Sequence, residues 1–120
     1  MLINPNRAEV FEFALINRKG EELSFTFDLK NENLIVDRTK SGIIDFSKNF
    51  ASGGIKAPIV KKESYKIRLL IDKASSEIFV NDGEVVQTNT MFPSEPYNTL
   101  TFKVENNTID VKEIKIYKLN

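Results

Sequence analysis

Strict alternation of apolar and polar residues is the strongest pattern along the chain. From Leu23 to Leu29 every second residue is apolar, and the residues between them are polar or charged. Because neighbouring side chains of a β-strand point to opposite faces, this alternation predicts a strand with one buried face. Similar patterns predict strands over residues 11–15, 33–37, 65–71, 76–81, 84–91, 99–105 and 108–119. The aromatic residues on the faces predicted to be buried are Phe11, Phe13, Phe25, Phe27, Tyr65 and Phe102.

The apolar positions of the last predicted strand change face partway along it. Ile109 and Val111 share one parity, whereas Ile114 and Ile116 share the other. The segment is rich in β-branched residues, which favour strands. A strand changes parity by inserting an extra residue, so the pattern predicts a β-bulge near Lys112-Glu113.

Short turns separate the predicted strands, and no stretch of the chain has a helical period. The turn-forming triplets are Arg18-Lys19-Gly20, Asn31-Glu32-Asn33, Asn81-Asp82-Gly83, Ser94-Glu95-Pro96 and Glu105-Asn106-Asn107. Their spacing is typical of hairpin connections. About eight strands joined in this way bury their inner faces by packing as two sheets. The sequence therefore predicts an all-β, two-sheet antiparallel sandwich of the jelly-roll or concanavalin-like lectin type.

One stretch, residues 39–63, departs from this regularity. Four glycine or proline residues interrupt its weak apolar pattern, at Gly42, Gly53, Gly54 and Pro58. The stretch is too long for a hairpin loop, and long loops in compact domains tend to serve a function. We expect it either to dock against another domain or to line a ligand groove.

The amino-acid composition restricts the partners and reactions that can be expected of this chain. Lysine plus arginine and aspartate plus glutamate each number 17, with the two signs interspersed, so neither nucleic acid nor an anionic membrane is an expected partner. The longest apolar runs, such as Leu69-Leu70-Ile71, fall far short of the roughly 20 residues of a membrane span. The chain has no histidine and no cysteine, which excludes serine-histidine triads, thiol nucleophiles, disulfides and most transition-metal sites. No cofactor or metal ion is expected, and only carboxylate chemistry remains open.

Polar residues lie where the predicted strand at residues 33–37 ends. Adjacent Asp37 and Arg38 point to opposite faces of a strand, so they do not simply pair with each other. In a structural interpretation, one of them satisfies backbone groups of the following loop, and Gly42, after Ser41, supplies an unusual backbone angle. The alternative interpretation is a ligand-binding role for these residues.

Three carboxylates, Asp72, Glu77 and Asp82, are close in sequence and lie beside predicted turns. Glycosidases use pairs of carboxylates held about 5–9 Å apart. A charged strand face explains these three more simply, because Asp72 can accept hydrogen bonds from the backbone of the turn that follows it. We therefore favour a structural role over catalysis.

Several motifs follow one another in a recognisable order from Asp37 to Pro93. They are Asp37-Arg38-Thr39, Ser41-Gly42, Asp45-Phe46-Ser47, Phe50-Ala51-Ser52, Arg68, Asp72, Ser75, Glu77-Ile78-Phe79, Asn81-Asp82-Gly83-Glu84 and Met91-Phe92-Pro93. In this order and spacing, the chain from about Ala8 to Leu119 resembles the C-terminal β-sandwich of glycoside hydrolase family 32. That family contains invertases, levanases, inulinases and sucrose-phosphate hydrolases. The chain departs from the family pattern at Ala74, where serine is usual, and at Ser76, where an apolar residue is usual.

The resemblance implies that the catalytic residues lie elsewhere. In that family they belong to an N-terminal five-bladed propeller, with the nucleophile in an Asn-Asp-Pro-Asn-Gly type motif, the transition-state stabiliser in Arg-Asp-Pro and the acid/base in Glu-Cys. The segment Asn4-Pro5-Asn6 matches the first motif only superficially, and the other two are absent. Residues 1–120 are thus expected to be a single sandwich domain, the accessory C-terminal part of a larger glycosidase. The matching motif positions, which we expect to be structural, are Asp37, Arg38, Ser41, Gly42, Asp72, Ser75, Glu77, Phe79 and Gly83.

Three functions follow as expectations. The leading one is a non-catalytic domain that packs on the propeller of a retaining enzyme for sucrose or fructans and stabilises it. Such domains also contribute to oligomer contacts in related enzymes, so a homo-oligomer is a further expectation. The second is a carbohydrate-binding module for fructan or another oligosaccharide, with Tyr97, Tyr117 or loop phenylalanines as stacking platforms. The third is a free-standing protein-interaction sandwich. Linkage specificity, endo or exo action and compartment stay open, with an extracytoplasmic parent favoured.

Overall fold

A computed structural model of the chain describes residues 1–40, 54–71, 75–83, 85–90, 93–104, 107–113 and 116–118. Within these residues the structure is built of β-strands, and Asn81–Gly83 form one turn of 3₁₀-helix. The strands are β1 (Leu2–Asn4), β2 (Val10–Ile16), β3 (Glu22–Asp28), β4 (Asn33–Lys40), β5 (Gly54–Pro58), β6 (Tyr65–Ile71), β7 (Ser75–Val80), β8 (Val85–Thr90), β9 (Thr99–Val104), β10 (Asp110–Lys112) and β11 (Ile116–Lys118). The predicted all-β fold is confirmed.

The strands form two sheets. Sheet I has the order β10-β1-β6-β7-β8, with β11 also paired to β6, and sheet II has the order β5-β4-β3-β2-β9. Strands β2 to β5 and strands β6 to β8 are consecutive antiparallel neighbours, as expected of strands joined by short turns. Every pair is antiparallel among the described strands except β11 and β6, which are parallel. The two-sheet sandwich predicted from the sequence is therefore present.

The hydrophobic core lies between the two sheets. Five of the six aromatic residues predicted to be buried are fully buried, and the sixth, Phe102, packs against the core from its edge. Phe13 stands opposite Phe25 across β2 and β3, and their ring centroids are 4.9 Å apart. Phe11 and Phe27 stack in the same way at 4.7 Å. Directly opposite aromatic pairs of this kind stabilise a sheet beyond their burial alone.

Two strands were not predicted. Strand β5 pairs with β4 inside the stretch that the sequence pattern assigned to a long loop, residues 39–63. That expectation is wrong for residues 54–58, and also for residues 39–40, which belong to β4. Strand β5 is an edge strand in which glycine and proline flank three residues, and so short a strand carries no clear alternation. Strand β1 has only three residues and is defined by pairing with both β6 and β10. Residues 41–53 lie outside the described part of the chain.

The predicted β-bulge near Lys112-Glu113 takes a different form. Glu113 has a left-handed backbone with φ of 53°, but the strand does not add an extra residue within one ladder. Strand β10 pairs with β1, whereas β11, beyond Glu113, pairs with β6. The prediction located the irregularity correctly, and its form was wrong because a parity change reveals no change of partner.

Candidate functional site

Three motif residues on β7 share one face of the sandwich. Ser76, Ile78 and Val80 alternate with them and point into the core. Ser75, Glu77 and Phe79 therefore lie on the outer face of sheet I, away from the core. None of these three residues therefore belongs to the hydrophobic core.

The outer face of sheet I carries a group of neighbouring side chains, which we call the outer patch: Arg68, Leu70, Glu77, Phe79 and Val86. Phe79 lies between Arg68 on β6 and Val86 on β8, and Leu70 lies beside Glu77. The guanidinium carbon of Arg68 is 5.8 Å from the centroid of the Phe79 ring, which is within range of a cation–π interaction. Val86 is 51% exposed, and Leu70 and Phe79 are half-buried. The patch thus joins three apolar side chains to one cation and one anion.

Sequence reasoning named Arg68, Glu77 and Phe79 of this patch among the motif residues but overlooked Leu70 and Val86. Both are apolar residues at positions where the alternation of β6 and β8 calls for polar ones. An apolar residue at a strand position expected to face solvent could have revealed this patch from the sequence. Such a side chain must either face water or be covered by another surface.

Among the described motif positions, Asp37 lies apart from this patch. Asp37 lies opposite Ser24 in sheet II, on the outer face, because Leu34 and Val36 of β4 point into the core. Asp37 and Glu77 thus lie on opposite outer faces of the sandwich. Arg38 belongs to β4, although its side chain is not described, and Ser41, Gly42 and Asp72 lie outside the described residues.

Gly83 ends the turn between β7 and β8. Its φ is 104°, and Asn81, two residues earlier, has φ of 53°. A Cβ atom added at Gly83 would meet no heavy atom within 4 Å. The backbone conformation, rather than a lack of space, therefore favours glycine here. The turn predicted at Asn81-Asp82-Gly83 is confirmed.

Two carboxylates are brought together from distant parts of the chain. Glu21 accepts hydrogen bonds from the side chain of Asn17 at 2.9 Å and from Ser94 N and Oγ, both at 2.8 Å. Glu95 accepts two hydrogen bonds from Arg18, at 2.6 and 2.8 Å. The Arg18 side chain is 78% exposed, so this ion pair contributes little to stability.

Both carboxyl groups of this cluster are held in the ionised form. Burial acts to raise the pKa of Glu21, but the hydrogen bonds from Asn17 and Ser94 outweigh it and lower the pKa. The hydrogen bond from Arg18 lowers the pKa of Glu95. A glycosidase acid needs a raised pKa so that it keeps a proton to donate. The cluster is therefore suited to anchoring the segment before β9 and not to acid catalysis.

Metal and membrane sites were also sought in the described part of the chain. Its carboxylates form no group of three or more that could hold a metal ion. No helix among these residues is long and apolar enough to cross a membrane.

Of the candidate sugar-stacking aromatics, Tyr97 is the one whose side chain the structure describes. Tyr97 is half-buried and packs against the core, while the side chain of Tyr117 is not described. Phe79 is an aromatic residue on an outer face, and Arg68 lies over its ring. Sugar rings stack on open aromatic faces, so the described aromatics offer poor support for such a platform.

Comparison with known proteins agrees with the family that the motifs indicated. The family model described as the C terminal of glycosyl hydrolases family 32 matches residues 2–118. The levanase of Bacillus subtilis (strain 168) is 30% identical over 118 residues, which cover 98% of this chain and 17% of the levanase. The extracellular exo-inulinase of Aspergillus ficuum is 36% identical over 93 residues, covering 74% of this chain and 17% of the inulinase.

The fold comparison gives the same result. The crystal structure of exo-inulinase from Aspergillus awamori matches with a TM-score of 0.77 and 25% sequence identity, over 91% of this chain and 22% of the inulinase chain. The chain thus spans less than a quarter of the length of each of these three relatives. Since the family model covers nearly all of the sequence, the chain belongs to the family of C-terminal domains of glycoside hydrolase family 32.

Proposed function

We propose that residues 1–120 form one accessory domain, without a catalytic site, of an enzyme that hydrolyses sucrose or fructans. Its role is to pack on an N-terminal catalytic domain and stabilise it. The observation that carries this proposal is the family match over residues 2–118, combined with the small share of each relative that the chain covers. A segment that recurs as the C-terminal part of longer hydrolases is suited to a supporting role.

The chemistry of the described residues supports this role. A retaining fructosidase needs a carboxylate nucleophile and a second carboxyl group that serves as acid and base. Here the clustered carboxylates Glu21 and Glu95 both have lowered pKa values, and no histidine or cysteine is available instead. In the proposal, both catalytic carboxylates belong to the N-terminal domain.

Two measurements test the proposal. The isolated 120-residue chain is incubated with sucrose, levan and inulin, and no release of fructose is expected. The chain is then fused behind the catalytic part of the Bacillus subtilis levanase in place of the segment of that enzyme that it matches. The fused protein should melt at a higher temperature and keep its levanase activity longer on heating than the catalytic part alone. Hydrolysis by the isolated chain, or no gain in the fused protein, would contradict the proposal.

A second candidate function is recognition of fructan or oligosaccharide by the sandwich itself. The observation in its favour is the position of Phe79, an aromatic residue on an outer face, although Arg68 lies over its ring. Titration of the isolated chain with levan, inulin and short fructo-oligosaccharides distinguishes the two candidates. Chemical-shift changes centred on Phe79 would support the binding module, and their absence would remove it. Sedimentation of the isolated chain tests the expected homo-oligomer.

A further inference from the structure

The first residue of the chain lies inside sheet I. The nitrogen of Met1 donates a hydrogen bond to the carbonyl of Ile67 at 2.8 Å. The nitrogen of Ile67 donates in return to the carbonyl of Met1 at 2.7 Å. These two bonds extend the antiparallel ladder between β1 and β6 by one residue. Met1 is therefore held against the middle of β6.

In a longer relative, a preceding segment cannot continue this ladder for more than one residue. The residue ahead of Met1 would come to lie opposite Arg68, and the residue before it opposite Leu69. Leu69 is already paired with Ile116 of β11, so a neighbouring strand occupies that side of β6. The inner side is closed by the core, where Leu69 is only 1% exposed. A preceding segment therefore leaves sheet I over its outer face, beside Arg68.

The exit point coincides with the outer patch, since Arg68 belongs to both. Around it, Leu70, Phe79 and Val86 form an apolar centre bordered by the charges of Arg68 and Glu77. An apolar centre with a charged rim is typical of a surface that another protein surface covers.

The outer face of sheet II has a different character. Glu12 of β2 stands opposite Lys103 of β9, so opposite charges are neighbours on that face. Small residues, Ala14 and Ser24, stand opposite each other at its centre. Val10, 44% exposed, lies at the end of β2 and opposite Asp28. Ile16 of β2 and Ile35 of β4 lie on the same face. This face thus combines an opposite-charge pair with buried small side chains and single apolar ones, and it lacks an aromatic residue among the residues described.

We infer that the outer patch of sheet I is the surface on which the N-terminal catalytic domain docks. This inference rests on the proposed function and adds the face that is used. The partner surface places apolar side chains on Phe79 and Val86. A preceding chain that leaves beside Arg68 delivers the catalytic domain to this face and not to sheet II.

The absence of cysteine from the chain permits a direct test. Val86→Cys places a thiol in the outer patch, and Val10→Cys places one at a similarly exposed position on the outer face of sheet II. Each variant is made in the isolated chain and in the levanase fusion described above. The rate of maleimide labelling of the introduced thiol is then followed by peptide mass spectrometry.

In the isolated chain both thiols should react at comparable rates. In the fusion, labelling of Val86→Cys should slow about tenfold or more, because a covered thiol reacts only after local opening, while Val10→Cys should keep its rate. Protection of Val10→Cys alone would overturn the choice of face and leave the proposed function standing. No protection at either position in an active fusion would contradict both.

A second pair of variants tests the same surface by melting temperature, without an introduced thiol. Val86→Glu should lower the melting temperature of the fusion by several degrees and change that of the isolated chain little, since a buried charge at an interface is unfavourable. Val10→Glu is the matched control and should behave alike in both proteins. Equal effects of Val86→Glu in the fusion and in the isolated chain would overturn the inference.

Discussion

The side-chain carbonyl of Asn81 accepts a hydrogen bond from the backbone N–H of Lys66 at 2.9 Å. The regular ladder between β6 and β7 ends at the pair Ile67 and Val80, so this side chain extends the pairing by one residue. Asn81 also has a left-handed backbone with φ of 53°, a conformation that asparagine tolerates better than most residues. Asn81 therefore completes the pairing of β6 with β7 and also begins the turn that follows.

This double role predicts the effect of changing Asn81. Asn81→Ala should lower the free energy of unfolding by about 2 kcal/mol, because it removes the acceptor and leaves a less tolerant residue at positive φ. Asn81→Asp is the control, since it keeps an acceptor and a residue type found in this region, and it should lose about half as much or less. Urea denaturation measures both. Equal stability of the two variants would contradict the prediction.

Replacement of Ser76 by alanine is expected to increase the stability of the domain. The Ser76 side chain is fully buried, and its hydroxyl oxygen has no hydrogen-bond partner within the described structure. This is also the position at which the resembling family usually has an apolar residue. Ser76→Ala should raise the free energy of unfolding by roughly 1 kcal/mol, because it removes a buried polar atom that lacks a partner. Ser75→Ala, on the outer face of the same strand, is the matched control and should stay within about 0.5 kcal/mol of the wild type. Destabilisation by Ser76→Ala would reveal a hidden partner.

Tyr65 fastens the segment that precedes β6. Its hydroxyl donates a hydrogen bond to the carbonyl of Val60 at 2.7 Å and accepts one from the nitrogen of Lys62 at 2.9 Å. Tyr65→Phe keeps the buried ring and should lower the free energy of unfolding by about 1 kcal/mol. Amide hydrogen exchange should accelerate more at Lys62 than at Leu69, because the loss is local to this segment. Equal acceleration at both amides would mean that the hydroxyl does not hold the segment.

The contribution of Glu21 to the free energy of unfolding is expected to depend on pH. The hydrogen bonds of Glu21 lower its pKa in the folded chain despite the opposing effect of burial. Since the unfolded value is about 4.3, the contribution is complete above that pH and is lost as the pH falls through the lower folded pKa. Glu21→Gln should therefore be about 1 kcal/mol less stable than the wild type at pH 7, and the difference should shrink below about pH 4.

Glu22→Gln provides the control for this pH profile. It removes the neighbouring carboxylate and leaves the hydrogen bonds of Glu21 to Asn17 and Ser94 in place. Its stability should follow that of the wild type across the pH range. A constant difference between Glu21→Gln and the wild type at every pH would exclude a role for the Glu21 charge.

The sequence by itself determined the strands and the family. The alternation around Phe11, Phe25 and Tyr65 predicted both the strands and the buried faces, because side-chain direction along a strand is a local property. The absence of histidine and cysteine restricted the chemistry before any fold was known. The motifs through Asn81 and Gly83 indicated the family, and the turn residues carried their own backbone requirements.

Only the tertiary structure decided which segments pair and which faces stay uncovered. Strands β1 and β5 are too short to show a pattern, and they exist because neighbouring strands satisfy their backbone groups. The change of partner beyond Glu113, which places β11 beside β6, depends on residues far apart in sequence. For the same reason Arg68, Phe79 and Val86 could not be joined into one patch before the register of three strands was known. Alternation tells which residues share a face of one strand, and pairing alone tells which strands share that face.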